Sequence, residues 1–350
     1  MGACEVFTPA SADKPPIAAP YVHVVAANVG VNTPLPQNGV IKVAFDRYIN
    51  PLTMNRQSIA LRDLFGNAPS SPIIQYDPVT RTASLSNPNP DPQWLTEGAT
   101  YEISFPIASE AGAFGLRAID GATMDPATTK IVFTVVPSPD AGATPTPPTI
   151  DFCKDIFPLF SAIRNDHPNV QGVCSNVHCH GAAGGTTPNY SAQGLVLNTQ
   201  EGIRHTAIGV EAAEATTAAL SVPITAQNSF PVGMPIIDPG DPGHSFLIYK
   251  LLLTDTNGAP DGTGPGFSYT GCGSTTPPFD YGPNPHLASA DEAFRLSQLV
   301  HGRRMPWGDP NATTFDTGGG TPLDLDELER ISLWIQQGAP VVDNCCAATH

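Results

Sequence analysis

The residues best suited to chemistry lie together in one short segment, CSNVHCHG, at residues 174–181. Two thiols, Cys174 and Cys179, are separated by four residues, and His180 directly follows the second thiol. Two cysteines with a histidine immediately after the second attach a haem through thioether bonds, and the histidine then ligates the iron. The usual spacing places two residues between the cysteines, so the spacing of four is a departure from it. The segment predicts one covalently bound haem, with His180 as its first axial ligand.

A second axial ligand is expected downstream of this segment. Met305, in the sequence HGRRMPWG, is the best candidate because it follows a predicted helix and precedes Pro306. A turn at this point can direct its thioether toward the iron. A methionine opposite a histidine raises the reduction potential relative to a pair of histidines. Met234, in VGMPII, and His301 are the alternatives.

The same cysteines allow two readings without haem. Cys174 and Cys179 can form a disulfide, with the neighbouring histidines as bystanders. Alternatively, His178 and His180 can join the two thiols in a zinc site. Structural zinc sites usually combine two separated ligand pairs, and four ligands in seven residues require an awkward backbone. Covalent haem is therefore the preferred interpretation.

Three residues around Met305 are candidates for contacts with the haem. Arg303 and Arg304 present guanidinium groups that suit carboxylates, so they are candidate partners of the haem propionates. Two solvated surface arginines are the alternative interpretation. Trp307 is a candidate for packing on the haem edge, whereas Trp334 is expected to pack in the protein core.

The elements that must position these residues follow from the periodicity after residue 151. A helix-like apolar spacing begins at Phe152, and Pro158 is expected to bend or restart that helix. Four further helices are predicted, at residues 199–208, 245–253, 289–300 and 324–337, and the last of them ends at Gly338. Long loops rich in glycine and proline separate these helices.

The first part of the chain has a different pattern. Apolar and polar residues alternate at 41–46, 101–105 and 131–135, which is typical of half-buried strands. Turn signals break these runs often, so residues 20–136 are predicted to form an antiparallel sandwich. Its lone histidine, His23, is expected to have a structural role.

A proline-rich linker, PSPDAGATPTPPTI at residues 137–150, separates the two patterns. Proline favours an extended and semi-stiff chain, so the linker is long enough to hold two domains a few nanometres apart. The predicted organisation is an N-terminal tether at 1–19, a β-sandwich at 20–136, this linker, and a mainly α-helical domain at 151–350.

Both predicted domains resemble known families. The segments at 41–63, 95–105 and 130–136 resemble bacterial Ig-like domains of the S-layer type. The segments CSNVHCHG, GLVLNT, IDPGDPGHSFLIYKLL, RRMPWG and LDLDELERISLWIQQGAP occur in the order found in planctomycete-type cytochrome c domains. This second resemblance implies a small class I cytochrome c fold with long loops. It also implies attachment at Cys174 and Cys179, with His180 and Met305 as axial ligands.

Four cysteines remain within or beside the helical part, and in an exported protein they suggest two disulfides with three pairings. The cytochrome resemblance implies that the first and last helices cross. Cys153 on the first helix is then expected to reach Cys345 or Cys346 just past the last one. Cys272 would tie down an apparent inserted loop at residues 258–285.

Charge and the first residues bear on partners and location. The chain has 350 residues and a formal net charge of −16, of which residues 151–350 carry −12. An acidic surface repels phosphate backbones, so nucleic-acid binding is disfavoured and a redox partner with a basic face is expected. The sequence contains no run of 18 apolar residues, so no membrane-spanning helix is predicted. The Gly-Ala-Cys start resembles the end of a bacterial lipobox, so Cys4 is a candidate lipidation site, with a stray thiol as the alternative.

These observations predict an electron carrier, exported to the periplasm or anchored at the cell surface, with one haem c. Two other classes stay open. An unligated iron face would favour a haem enzyme that reduces peroxide or binds a gas. A chain without haem would be a surface scaffold held together by disulfides.

Overall fold

The computed structural model describes residues 21–65, 69, 71–88, 94–107, 115–119, 121–137, 149–161, 194–212, 234–252, 300, 323, 325–343 and 345. The described residues form two parts with different secondary structure. The β region comprises the described residues up to 137, and the helical region comprises those from 149 onward.

Two four-stranded sheets form the β region. The first has the order β1-β3-β6-β5 and is antiparallel throughout, with β1 (Val24–Ala27), β3 (Ile41–Phe45), β6 (Thr82–Ser86) and β5 (Ile73–Asp77). The second has the order β2-β8-β7-β4, with β2 (Leu35–Pro36), β8 (Lys130–Val136), β7 (Thr100–Ser104) and β4 (Ala60–Asp63). Within it, only the short β2 runs parallel to its neighbour β8.

The two sheets enclose one hydrophobic core because their apolar side chains alternate in the predicted way. Along β3 the buried positions are Ile41, Val43 and Phe45, and the residues between them face outward. The ring of Phe45 meets Phe105, at the end of β7, edge to face with 5.8 Å between centroids. Such pairs stabilise a core beyond the apolar area that they bury. The predicted strands and their two-sheet arrangement are thus confirmed.

Four short α-helices are present in the described helical region. A π-helical turn at Phe152–Ile156 leads into α1 (Phe157–Ser161), so the backbone changes register next to Pro158, as predicted. The others are α2 (Gln200–Thr206), α3 (Phe246–Leu252) and α4 (Leu325–Gln336). Thr199 caps α2 by accepting a hydrogen bond from Gly202, and Gly338 follows α4 with a φ of +92°. The predicted helix at 289–300 lies outside the described residues except for Val300.

The β region and the helical region pack against each other. Tyr48, Val79 and Ile119 of the β region belong to the hydrophobic cluster of the helical region. Ile150, expected at the end of the linker, is buried in that cluster, and its amide donates to Gln337 Oε1 at 3.0 Å. The expectation that the linker holds the two parts nanometres apart is therefore wrong. Apolar side chains of the β region are thus part of the hydrophobic core of the helical region.

Among the described residues, no helix is long and apolar enough to cross a membrane.

Candidate functional site

The predicted haem-binding residues lie outside the residues that the structure describes. These are Cys174, Cys179, His180, Arg303, Arg304, Met305 and Trp307, together with the alternative ligand His301. Cys4, Cys272 and Cys346 also lie outside the described residues. What the structure does describe is the helical framework beside these segments and its contact with the β region.

A disulfide between Cys153 and Cys345 closes this framework. It joins the first turn of the helical region to the segment after α4, with 4.9 Å between the two Cα atoms. The π-helical turn Phe152–Ile156 also packs against α4. The predicted meeting of the first and last helices is confirmed, as is a bond from Cys153 to one of its two expected partners.

An aromatic cluster fills the angle between these two helices. Trp334 of α4 is fully buried, and its ring lies 5.8 Å from Phe152 and 6.4 Å from Phe160, centroid to centroid. Its indole N–H donates to the carbonyl of Pro340 at 2.9 Å, so its one polar atom is satisfied. The expectation that Trp334 is a core residue is confirmed. The cluster therefore packs the segment from Phe152 to Phe160 against α4.

Helix α2 is tied to the end of the same framework. Arg204 donates to Asp343 Oδ1 at 2.7 Å and to the carbonyl of Val341 at 3.1 Å. Ile203, one residue earlier, is fully buried in the helical core. The ion pair is largely exposed, so it contributes little, and the apolar contact of Ile203 provides most of the attachment.

Met234, the alternative sixth ligand, is the one predicted ligand that the structure places. It is fully buried in the hydrophobic cluster of the helical region. Its carbonyl accepts a hydrogen bond from the amide of Ala212 at 3.0 Å. Met234 therefore lies in the hydrophobic core of the helical region, an environment that suits a methionine side chain. The choice between Met305, Met234 and His301 stays a prediction.

A compact polar turn precedes α3 in the predicted IDPGDPGHSF motif. His244 Nδ1 lies 2.9 Å from Asp238 Oδ2, and the His244 amide donates to Asp241 Oδ1 at 3.2 Å. Ser245 Oγ accepts from the Asp238 amide at 2.8 Å and donates to the Asp241 carbonyl at 2.9 Å. Burial raises the pKa of Asp241, Asp238 adds to this effect, and His244 opposes it. The described residues contain no group of three His, Cys, Asp or Glu side chains arranged to hold a metal.

A second partly buried carboxyl, Asp77, lies where the β region meets the helical region, and sequence reasoning missed it. Asp77 Oδ1 accepts from Ser332 Oγ at 2.6 Å and from the Val79 amide at 3.0 Å, and Oδ2 accepts from Thr80 Oγ1 at 2.8 Å. Burial raises the pKa of Asp77, although these three donors oppose the rise. The pKa values of Tyr76 and Tyr249 nearby are also raised, mainly by burial.

His23 has the structural role expected for it. It lies directly before β1, and its Nδ1 is 2.8 Å from Asp46 Oδ2 while its Nε2 is 3.3 Å from Asp125 Oδ2. The His23 amide also donates to Asp46 Oδ1 at 2.9 Å. The imidazole thus bridges two loops of the β region.

Comparison with known proteins gave limited similarity. No protein-family model matches the chain, and no curated protein matches it. Three solved structures of the S-layer protein SbsC are similar to part of it, at 17%, 18% and 17% identity with TM-scores of 0.25, 0.24 and 0.23. They cover 38%, 39% and 38% of this chain, which in turn spans 16%, 16% and 27% of theirs. Values this low carry no argument about fold or function.

Proposed function

We propose that this chain is an exported c-type cytochrome that carries single electrons, with an Ig-like domain at residues 20–136 and a monohaem domain at residues 151–350. The observation that carries the proposal is the Cys174–Cys179–His180 motif. Its donor set, two thiols and an adjacent imidazole, fits covalent haem attachment. A bound haem would supply a one-electron ferrous–ferric couple.

The chain's own residues would hold and tune that group. Cys174 and Cys179 would form the thioether bonds, and His180 and Met305 would be the axial ligands. A thioether opposite the imidazole favours a higher reduction potential than a second imidazole does. Arg303 and Arg304 would neutralise the propionates, and Trp307 would shield the haem edge from water.

The framework described above supports this proposal. In the resembled family the first and last helices cross, and here the segment at Cys153 packs against α4 and is bonded to Cys345. A crossing held by a disulfide and by the aromatic cluster around Trp334 would change little between oxidation states. Such rigidity limits the reorganisation that accompanies each electron transfer.

Location and partner follow from the same residues. Disulfides persist in oxidising compartments, so the Cys153–Cys345 bond supports export to the periplasm or the cell surface. Lipidation of Cys4 would anchor the protein to a membrane. The net charge of −16 would steer a redox partner with a basic docking face toward the protein.

The decisive experiment is expression in a host that carries the cytochrome c maturation machinery, followed by acid–acetone extraction. We expect the denatured protein to retain haem, with a pyridine haemochrome spectrum typical of thioether attachment. Cys174→Ser and Cys179→Ser are expected to weaken or abolish that attachment. Cys272→Ser, a cysteine outside the motif, is the matched control and is expected to keep the haem.

Other outcomes would identify the competing functions. A colourless wild-type protein would overturn the proposal and favour a haem-free scaffold, for which the Cys153–Cys345 bond and the packed contact between the two regions are suitable features. A high-spin ferric spectrum with covalent haem would indicate an open iron face and an enzyme. A low-spin spectrum with a methionine–iron charge-transfer band would support the electron carrier.

A further inference from the structure

The turn at residues 77–81, between β5 and β6, is a central part of the contact between the β region and the helical region. Val79 at the centre of this turn is only 6% exposed and belongs to the helical hydrophobic cluster. Tyr48 and Ile119, from two other loops of the β region, lie in the same cluster. An apolar side chain at the tip of a turn is normally left in water, so its burial here marks a docked surface.

A polar contact lies beside this apolar one. Ser332 of α4 donates to Asp77 at 2.6 Å, across 255 residues of sequence. The same carboxylate accepts from the Val79 amide and the Thr80 hydroxyl, so it also shapes the turn. Asp77 therefore couples the conformation of the turn to the position of α4.

Strand β5 makes the second half of the contact. The side chain of Gln75 donates to the carbonyl of Gly240, and residues 242–244 lie against the same strand. A Cβ added to Gly243 would lie 2.6 Å from the carbonyl oxygen of Tyr76. Only glycine permits this approach, because the obstructing atoms are the backbone and the Cβ of Tyr76, which a change of rotamer does not move.

Arg81, at the end of this turn, makes contacts that hold the turn in its conformation. Arg81 has a φ of +53°, a conformation that is uncommon for a residue with a side chain. Its guanidinium lies 4.1 Å from the centroid of the Tyr48 ring, and its Nη1 donates to the carbonyl of Asp46 at 2.7 Å. These contacts offset the backbone strain and hold the turn in the conformation that contacts α4.

The helical region needs such support because its described helices are short. They contain 5, 7, 7 and 12 residues, and isolated helices shorter than about 12–15 residues are marginal in water. Most of their stability must come from tertiary packing. The β region contributes three buried apolar side chains and a partly buried hydrogen bond to that packing.

We propose that the turn at residues 77–81 is an intramolecular docking element, that its occupant is the surface formed by α4 and residues 238–245, and that the two regions therefore unfold as one cooperative unit. The Ig-like half is then a part of the folded helical unit and not a spacer beside it. This inference does not depend on haem binding, and the experiment that tests it does not measure haem.

Hydrogen exchange of the full-length protein, followed by mass spectrometry in increasing denaturant, tests this proposal. In the wild type we expect core amides of β3 and of α4 to exchange through the same global opening, with the same dependence on denaturant. Gly243→Ala is expected to separate the two, with protection of α4 falling at least about tenfold while β3 keeps its own protection. Gly30→Ala is the matched control, since nothing lies within 4 Å of a Cβ there.

A milder variant covers the case in which Gly243→Ala fails to fold. Ser332→Ala removes one donor to Asp77 and leaves the backbone contact intact, so we expect a smaller loss of α4 protection, about three- to tenfold. Ser71→Ala, at an exposed serine of the β region, is its control. The proposal is overturned if wild-type β3 and α4 open separately, or if neither junction variant changes α4 more than its control does.

Discussion

Cys153 and Cys345 are joined although 192 residues separate them in sequence. The bond encloses nearly the whole helical region, including the CSNVHCHG segment and Met305. In the chain-entropy model, closing a loop of this length removes many conformations from the unfolded chain, and the typical stabilisation is about 2–5 kcal/mol.

Replacing both cysteines, Cys153→Ala with Cys345→Ala, is expected to lower the free energy of unfolding by about 2–5 kcal/mol. The double variant leaves no new free thiol from this pair to mispair with Cys272 or Cys346. Denaturant unfolding followed by circular dichroism measures the change. A loss below about 1 kcal/mol would contradict the role assigned to the bond.

Trp334→Ala is expected to cost about 3–5 kcal/mol, because it opens a cavity among Phe152, Phe160 and the surrounding core. Trp334→Phe should cost less, since it keeps ring packing and loses mainly the hydrogen bond to Pro340. Phe65→Ala is the control, because that ring is 92% exposed and its loss should change stability by less than about 0.5 kcal/mol. Equal effects of Trp334→Ala and Phe65→Ala on thermal unfolding would refute the aromatic cluster.

The partly buried carboxyl of Asp77 gives stability a defined pH dependence. Its folded pKa is raised above the ordinary value of 3.8, so between these two values the folded state binds more protons than the unfolded state. The contribution of Asp77 to stability is therefore largest below its unfolded pKa and is lost as pH rises through the folded one.

Asp77→Asn isolates this contribution, because Asp241, whose pKa is raised in the same direction, stays in both proteins. We expect the difference in unfolding free energy, wild type minus variant, to fall as pH increases from about 4, and to level off once Asp77 is ionised in the folded state. Urea titrations at several pH values measure it. A difference that grows with pH would mean that the donors around Asp77 outweigh its burial.

If His180 and Met305 are the iron ligands, replacing one has a different effect from replacing the other. Met305→Ala is expected to lower the reduction potential and to open the iron to added ligands such as imidazole. His180→Ala is expected to abolish haem incorporation or to leave a misligated product. Absorption spectra and redox titration measure both effects, with Phe65→Ala, at an exposed ring of the β region, as the control. An unchanged spectrum in Met305→Ala would direct attention to Met234 or His301.

Much of the fold is predictable from local sequence patterns. The alternation of apolar and polar residues at 41–46 indicates which side chains are buried, because successive residues of a strand face opposite sides of a sheet. The predicted third helix, at 245–253, is found at Phe246–Leu252, because a continuous apolar run after a capped turn is itself a local signal of a buried helix. Cys345 was one of the two expected partners of Cys153 because the resemblance brought two distant helices together.

The junction between the two regions was not predictable in this way. Asp77 and Ser332 are 255 residues apart, and neither interrupts a periodic pattern in its own segment. One local signal was present: Val79 is an apolar residue inside a turn that otherwise consists of polar residues and proline. The predicted haem ligands, by contrast, come from motif chemistry, and no described residue bears on them except Met234.

Among the described residues β5 is the last strand of its sheet, and the loop that contains Gly240 and Gly243 packs against it. Unpaired strand margins recruit other chains and are a common origin of aggregation. Variants that destabilise either region would therefore expose the edge of β5 to pairing with other chains. We expect such variants to aggregate during production, before any loss of activity can be measured.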